Sequence, residues 1–226
     1  MTLRRTILAT DWFRTTDWSP AAQDDFERRL SRARSYNRGD YVRIKGLALH
    51  DAGKVDDARE LWLRIVNGVY EDIGLARPSA IEHLADSYKE TDAAKAEQLY
   101  RQLLDEHPDL GATSRLAELS LGETLVRLKR FDEALEWLTR WKQGDQPGWP
   151  NCLFRWHQAV IQVAQAQGDH DTVRRSASAA LELADRGPML AHHRTVGVVR
   201  TDESTLRRLH ELASEPPVRK WWRPRE

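Results

Sequence analysis

Eight histidines and a lone cysteine are the first residues to test for chemistry. His192 and His193 are adjacent, so on a helix their rings would point about 100° apart, a poor geometry for one metal ion. The run 210-HELAS-214 lacks the second histidine of the HExxH zinc motif. His83 and Asp86 fall three residues apart and can share a helical face, where a surface or capping pair is the expected role. Cys152 has no cysteine partner, which excludes an internal disulfide and any all-cysteine zinc site. His157 stands five residues further on, off-face on a helix, so Cys152 reads as a small hydrophobe rather than an activated thiol. Neither a G-x-G-x-x-G nor a G-x-x-x-x-G-K-[ST] phosphate cradle is present, and no G-x-S-x-G elbow. The expectation is a protein that is not an enzyme, with no metal and no cofactor.

Binding chemistry is better represented. Arg28, Arg29, Arg32, Arg34, Arg38, Arg43 and Lys45 crowd the stretch 28–45 against Asp40 alone. The tail 219-RKWWRPR-225 adds cations around Trp221 and Trp222. Cations interleaved with indoles can hold phosphates and stack on bases, so a nucleic-acid-binding regulator is one reading. A solvated helix face and a tail whose tryptophans cover the end of the fold is the other. Trp62 and Trp141 follow an apolar helical stripe and read as core. Trp149, in the Gly- and Pro-rich run 144-GDQPGWPN-151, either plugs the fold or faces a ligand; the plug is preferred.

The elements that position these groups follow from composition and period. Hydrophobic residues are 40% of the 226 and charged residues 31%, which predicts a helix-rich, water-facing chain. Cations and anions balance at 35 each, so there is no overall pull toward nucleic acid or anionic lipid. The start, 1-MTLRRTILATDWFR-14, has too short an apolar run for a signal peptide. The apolar stretch 159-AVIQVAQA-166 is far short of a membrane span. A cytoplasmic location is expected, and the preference for arginine over lysine suggests a bacterial genome.

Four segments superimpose: 54–66, 92–104, 130–142 and 169–181. Their small anchors Ala58, Ala96, Ala134 and Val173 stand 38, 38 and 39 residues apart. Four residues on come Trp62, Tyr100, Leu138 and Ala177, and three further Ile65, Leu103, Trp141 and Ala180, one stripe of a helix. A second helix precedes each, over 41–53, 78–90, 116–129 and 153–168. Gly46 and Gly122 lie two repeats apart, and a glycine inside a helix costs about 1 kcal/mol against alanine. The slot therefore predicts a close helix crossing, glycine meeting the small anchor Ala134. At the front, Ser19-Pro20 opens a further helix with Phe26, Leu30 and Ala33 on its apolar face.

Leu121-Gly122, Leu125, Phe131, Ala134 and Leu138 fall in an order that resembles the tetratricopeptide repeat, as do Ala96, Tyr100 and Pro108, and Gly46, Leu49, Gly53, Ala58 and Trp62. The repeat here is about four residues longer than that family's. The opening WFRTTDW and the late GVVR resemble bacterial repeat proteins. The resemblance implies an all-α, right-handed superhelix of about four antiparallel helix pairs. It would comprise an extension over 1–18, a capping helix over 19–39, repeats over 40–185, a capping segment over 186–214 and a polar tail over 215–226. It further implies a non-enzymatic scaffold whose first helices line a concave groove for a peptide or protein segment. Helical projection assigns Arg43, His50, Glu82, Asp86, Lys89, Glu123, Arg127, Arg155, Gln158 and Gln162 to that face. Some members of the family grip a peptide's terminal carboxylate with Lys, Asn and Arg; here Arg43 and Leu47 stand where Lys and Asn would be wanted.

Overall fold

The computed structural model describes residues 11–71, 75–145, 148–190 and 192–214. The first ten residues and the RKWWRPR tail with Trp221 and Trp222 lie outside the described residues. Among those described there are ten α-helices and no strand, only an isolated bridge between Leu190 and His193. They are α1 (Pro20–Arg32), α2 (Ser35–Asp51), α3 (Val55–Val66), α4 (Ala76–Tyr88) and α5 (Ala93–Glu106), then α6 (Ala117–Arg127), α7 (Phe131–Gln143), α8 (Pro150–Gln167), α9 (His170–Ala184) and α10 (Glu203–Ser214). The chain forms two compact units, Met1–Ala117 and Glu118–Glu226.

In the first unit α2 packs on α3, α3 on α4 and α4 on α5. In the second, α7 packs on α8, α8 on α9 and α9 on α10. This neighbour-to-neighbour packing is that of an α-solenoid. The anchors Ala58, Ala96 and Ala134 are fully buried, and Trp62, Tyr100, Leu138 and Trp141 are buried beside them. Burying a large apolar side chain of this kind contributes about 1.5–3 kcal/mol, so the recurring stripe is the main source of cohesion. The turns inside pairs are short, at 52–54, 89–92, 128–130 and 168–169. The connections between pairs are longer, as at 107–116.

The glycine slot is real, but its occupant differs from the expectation. A Cβ added at Gly46 would stand 2.8 Å from Trp62 Cε2, and one at Gly122 would stand 2.8 Å from Leu138 Cδ2. The glycines make room for the bulky residue of the next helix, not for its alanine; Ala134 is met only through its carbonyl oxygen, at 3.4 Å. Large-into-small packing lets an indole reach the backbone, and Trp62 Nε1 donates to the Arg43 carbonyl oxygen at 3.2 Å.

Lys45, counted above in a surface cluster, is 1% exposed. Its ammonium donates to the Thr15 carbonyl oxygen at 2.6 Å, to Thr15 Oγ1 at 2.9 Å and to the Asp17 carbonyl oxygen at 3.0 Å. Lys54 Nζ donates to the Thr16 carbonyl oxygen at 2.9 Å. Two ammoniums thus hold three successive carbonyls of an extended segment against the first pair. Trp12, Phe13, Trp18, Phe26 and Tyr41 surround it with ring contacts of 4.7–5.6 Å. Burial pulls the Lys45 pKa down to about 8, with Asp17 opposing the shift. In the second unit, Gly197 at φ +75° packs close to Trp149 and Met189, and its carbonyl accepts from Asn151 N. Trp149 is half-buried and packs against Gly197.

Candidate functional site: the first-helix faces

In the first unit the faces of α2 and α4 carry a row of rings. His50 lies 5.7 Å from the Trp62 ring, and Trp62 lies 5.5 Å from His83, each tilted by just over 40°. Trp62 comes from α3 and fills the space beneath the two imidazoles. His83 Nε2 is buried and has no hydrogen-bond partner among the described residues. Burial, then the neighbouring Arg43 and His50, brings the His83 pKa down to about 4, so at neutral pH the ring is uncharged. Arg43 is partly buried, with Nε and Nη2 each 3.2 Å from Asp40 Oδ1. Asp86 is exposed, and its Oδ1 accepts from the Tyr100 hydroxyl at 2.6 Å. Lys89 is partly buried just past the end of α4.

Glu82 has a different place from the one projected. It is 4% exposed, and its two oxygens accept from Ser114 Oγ at 2.6 Å and Ser114 N at 2.9 Å. The 107–116 connection folds over this part of α4, and Ser79 Oγ also donates to the Ala112 carbonyl oxygen. Leu110, Ala112 and Arg115 hold left-handed conformations there, unusual for residues with a side chain. Burial raises the Glu82 pKa against the lowering effect of the Ser114 bonds. Glu82 thus anchors a loop.

In the second unit Arg155 of α8 forms a two-bond pair with Glu123 of α6, at 2.9 and 2.7 Å, and Nη2 also donates to Ser120 Oγ at 3.1 Å. The pair joins two first helices and is partly buried. Arg127 is exposed. Gln158 and Gln162 line a cleft of about 280 Å³ between α8 and α10. Leu209 and Leu212 of α10 belong to one buried cluster with Phe154 and Ile161 of α8 and Val173 of α9. The last helix therefore partly roofs the face on which these glutamines stand.

The sequence paired His83 with Asp86. The structure instead joins His83 to His50 and Trp62, a grouping that spans three helices and has no signature in local spacing. The cations of 28–45 are largely engaged. Arg28 and Arg29 pair with Asp25, Arg38 donates to the Ser31 and Ala33 carbonyls, Arg43 meets Asp40, and Lys45 is buried. Cys152 is buried, and burial raises its pKa. Among the described residues, no group of three or more His, Cys, Asp or Glu is placed to hold a metal ion. No helix among them is long and apolar enough to cross a membrane.

Residues 79–110, the pair α4–α5, match the family model for the tetratricopeptide repeat. The chain is a tetratricopeptide-like helical repeat protein. A search of curated proteins finds no match. Tetratricopeptide repeats are typically non-catalytic modules of protein–protein interaction, and the match suggests protein partners.

Proposed function

We propose that this protein is a non-enzymatic scaffold that binds a peptide or protein segment along the first-helix faces of its repeats. The observation that supports this most is the row His50–Trp62–His83, flanked by Arg43 and Asp86. Half-buried imidazoles backed by a buried indole, with a cation and a carboxylate near them, suit a segment that carries both charges and an apolar anchor. Arg127 and the Glu123–Arg155 pair offer the same mixture on α6 and α8. The engaged cations of 28–45 favour this reading over nucleic-acid binding.

Peptides selected from a random display library on the purified protein should slow hydrogen exchange on α2, α4, α6 and α8. Footprints confined to α3, α5, α7 and α9 would refute the assignment. His50→Glu and Arg127→Glu should weaken capture at least fivefold with folding unchanged. Arg155→Glu is a poorer probe, because it would set two carboxylates against each other and disturb the helix pair itself.

A further inference from the structure

Positions Glu82, Ser120 and Gln158 are spaced 38 residues apart and occupy one slot on successive first helices. The first two slots receive a hydrogen-bonding group from further along the chain: Ser114 reaches Glu82, and Arg155 reaches Ser120. The third slot is different. Gln158 opens on the cleft between α8 and α10, and its side-chain amide has no hydrogen-bond partner among the described residues. Gln162 stands one turn on, exposed, with Nε2 3.5 Å from the Gln158 carbonyl oxygen.

Across the cleft is Arg208, exposed and without a carboxylate partner among the described residues. Its hydrogen bond runs to a neutral acceptor, Gln165 Oε1, at 3.2 Å. Arg208 is the one charged residue among the described lining, and Ile161, Leu209 and Leu212 form the floor. A guanidinium with open donors, two amides able to pair with peptide groups, and a short apolar floor together specify a ligand. From this we infer that the α8/α10 cleft is a docking site for an acidic, extended peptide segment. Its carboxylate would meet Arg208, its main chain would meet the Gln158 and Gln162 amides, and its side-chain methylenes would lie on Ile161 and Leu212. The cleft volume of about 280 Å³ admits a segment of this kind rather than a folded element. This inference rests on the peptide-binding reading above and assigns the chemistry of one subsite.

The test uses the full chain with labelled Ile and Leu methyl groups, titrated with the capped peptide Ala-Glu-Glu-Ala and its analogue Ala-Gln-Gln-Ala. The acidic peptide should move the methyl signals of Ile161, Leu209 and Leu212. The glutamine analogue, or the variant Arg208→Gln, should bind at least fivefold more weakly. Gln158→Ala should also weaken binding while leaving its salt dependence unchanged. Arg208 and Gln158 lie outside the buried core, so these variants keep the fold, and unchanged spectra elsewhere would verify it. Equal binding of both peptides, unchanged affinity in Arg208→Gln, or shifts confined to other methyls would overturn the inference. The display footprint on α2, α4 and α6 is read separately, so failure at this cleft leaves the wider reading standing.

Discussion

Two glycines show how a single side chain sets the helix crossing. At Gly46 the neighbour is an indole fixed by burial and by its bond to the Arg43 carbonyl, so it has nowhere to move. Gly46→Ala should therefore lose about 1–3 kcal/mol to overpacking, despite the better helix propensity of alanine. Leu138, which faces Gly122, can change rotamer, so Gly122→Ala should lose less; urea denaturation of the two variants checks the order. The 76-residue interval made the slot legible in the sequence, but the partner was misjudged. Sequence shows which positions share a stripe, whereas which knob enters which hole depends on how far each helix is rotated. His83 gives a second residue-scale prediction. Its pKa is near 4 in the folded protein and 6.5 when unfolded, so the unfolded chain takes up the proton first as pH falls. This contribution to stability is present above pH 6.5 and is lost toward pH 4. His157 is shifted the same way by burial and Lys142. His83→Phe should reduce the difference in unfolding free energy between pH 7 and pH 5 without abolishing it.

Helices and their connections explain what spacing could and could not reveal. Short turns inside pairs keep the 3.6-residue pattern in phase, so all eight repeat helices were legible from their apolar stripes. The long connections between pairs have no such pattern. Projection set Glu82 on an open face because nothing in α4 announces that 107–116 will fold over it. Similarly, Lys45 looked like one cation of a basic helix, since the extended segment that surrounds it has no period of its own. That segment yields the element-scale prediction. The folded pKa of Lys45 is about 8 against 10.5 in the unfolded chain, so the unfolded chain holds the extra proton between these values. The contribution of this group to stability therefore rises as pH goes from about 8 to about 10.5. Resonances of the Lys45 side chain should titrate near 8. Lys45→Met removes the donors of the Thr15 and Asp17 carbonyls, and faster hydrogen exchange over 15–19 at pH 7 should report it.

At the scale of the whole molecule, the formal charge is zero, and cations and anions meet in local ion pairs. Arg77 bridges to Glu106, Arg64 to Glu27 and Arg140 to Glu118. Selected peptides should therefore lose affinity only gently with added salt, unlike a nucleic-acid binder, whose affinity falls steeply as counterions are released. How many residues take part in the candidate surface was less legible than the fold, because a groove is made from several helices at once and each helix was read alone. The lysine clasp at the front has a practical consequence. Whoever shortens this protein for expression and begins at Pro20 deletes every oxygen that Lys45 and Lys54 hold, and strands an ammonium against bare rings. A start that keeps the 11–19 segment retains these acceptors, whereas a later one invites insolubility that has nothing to do with the repeats.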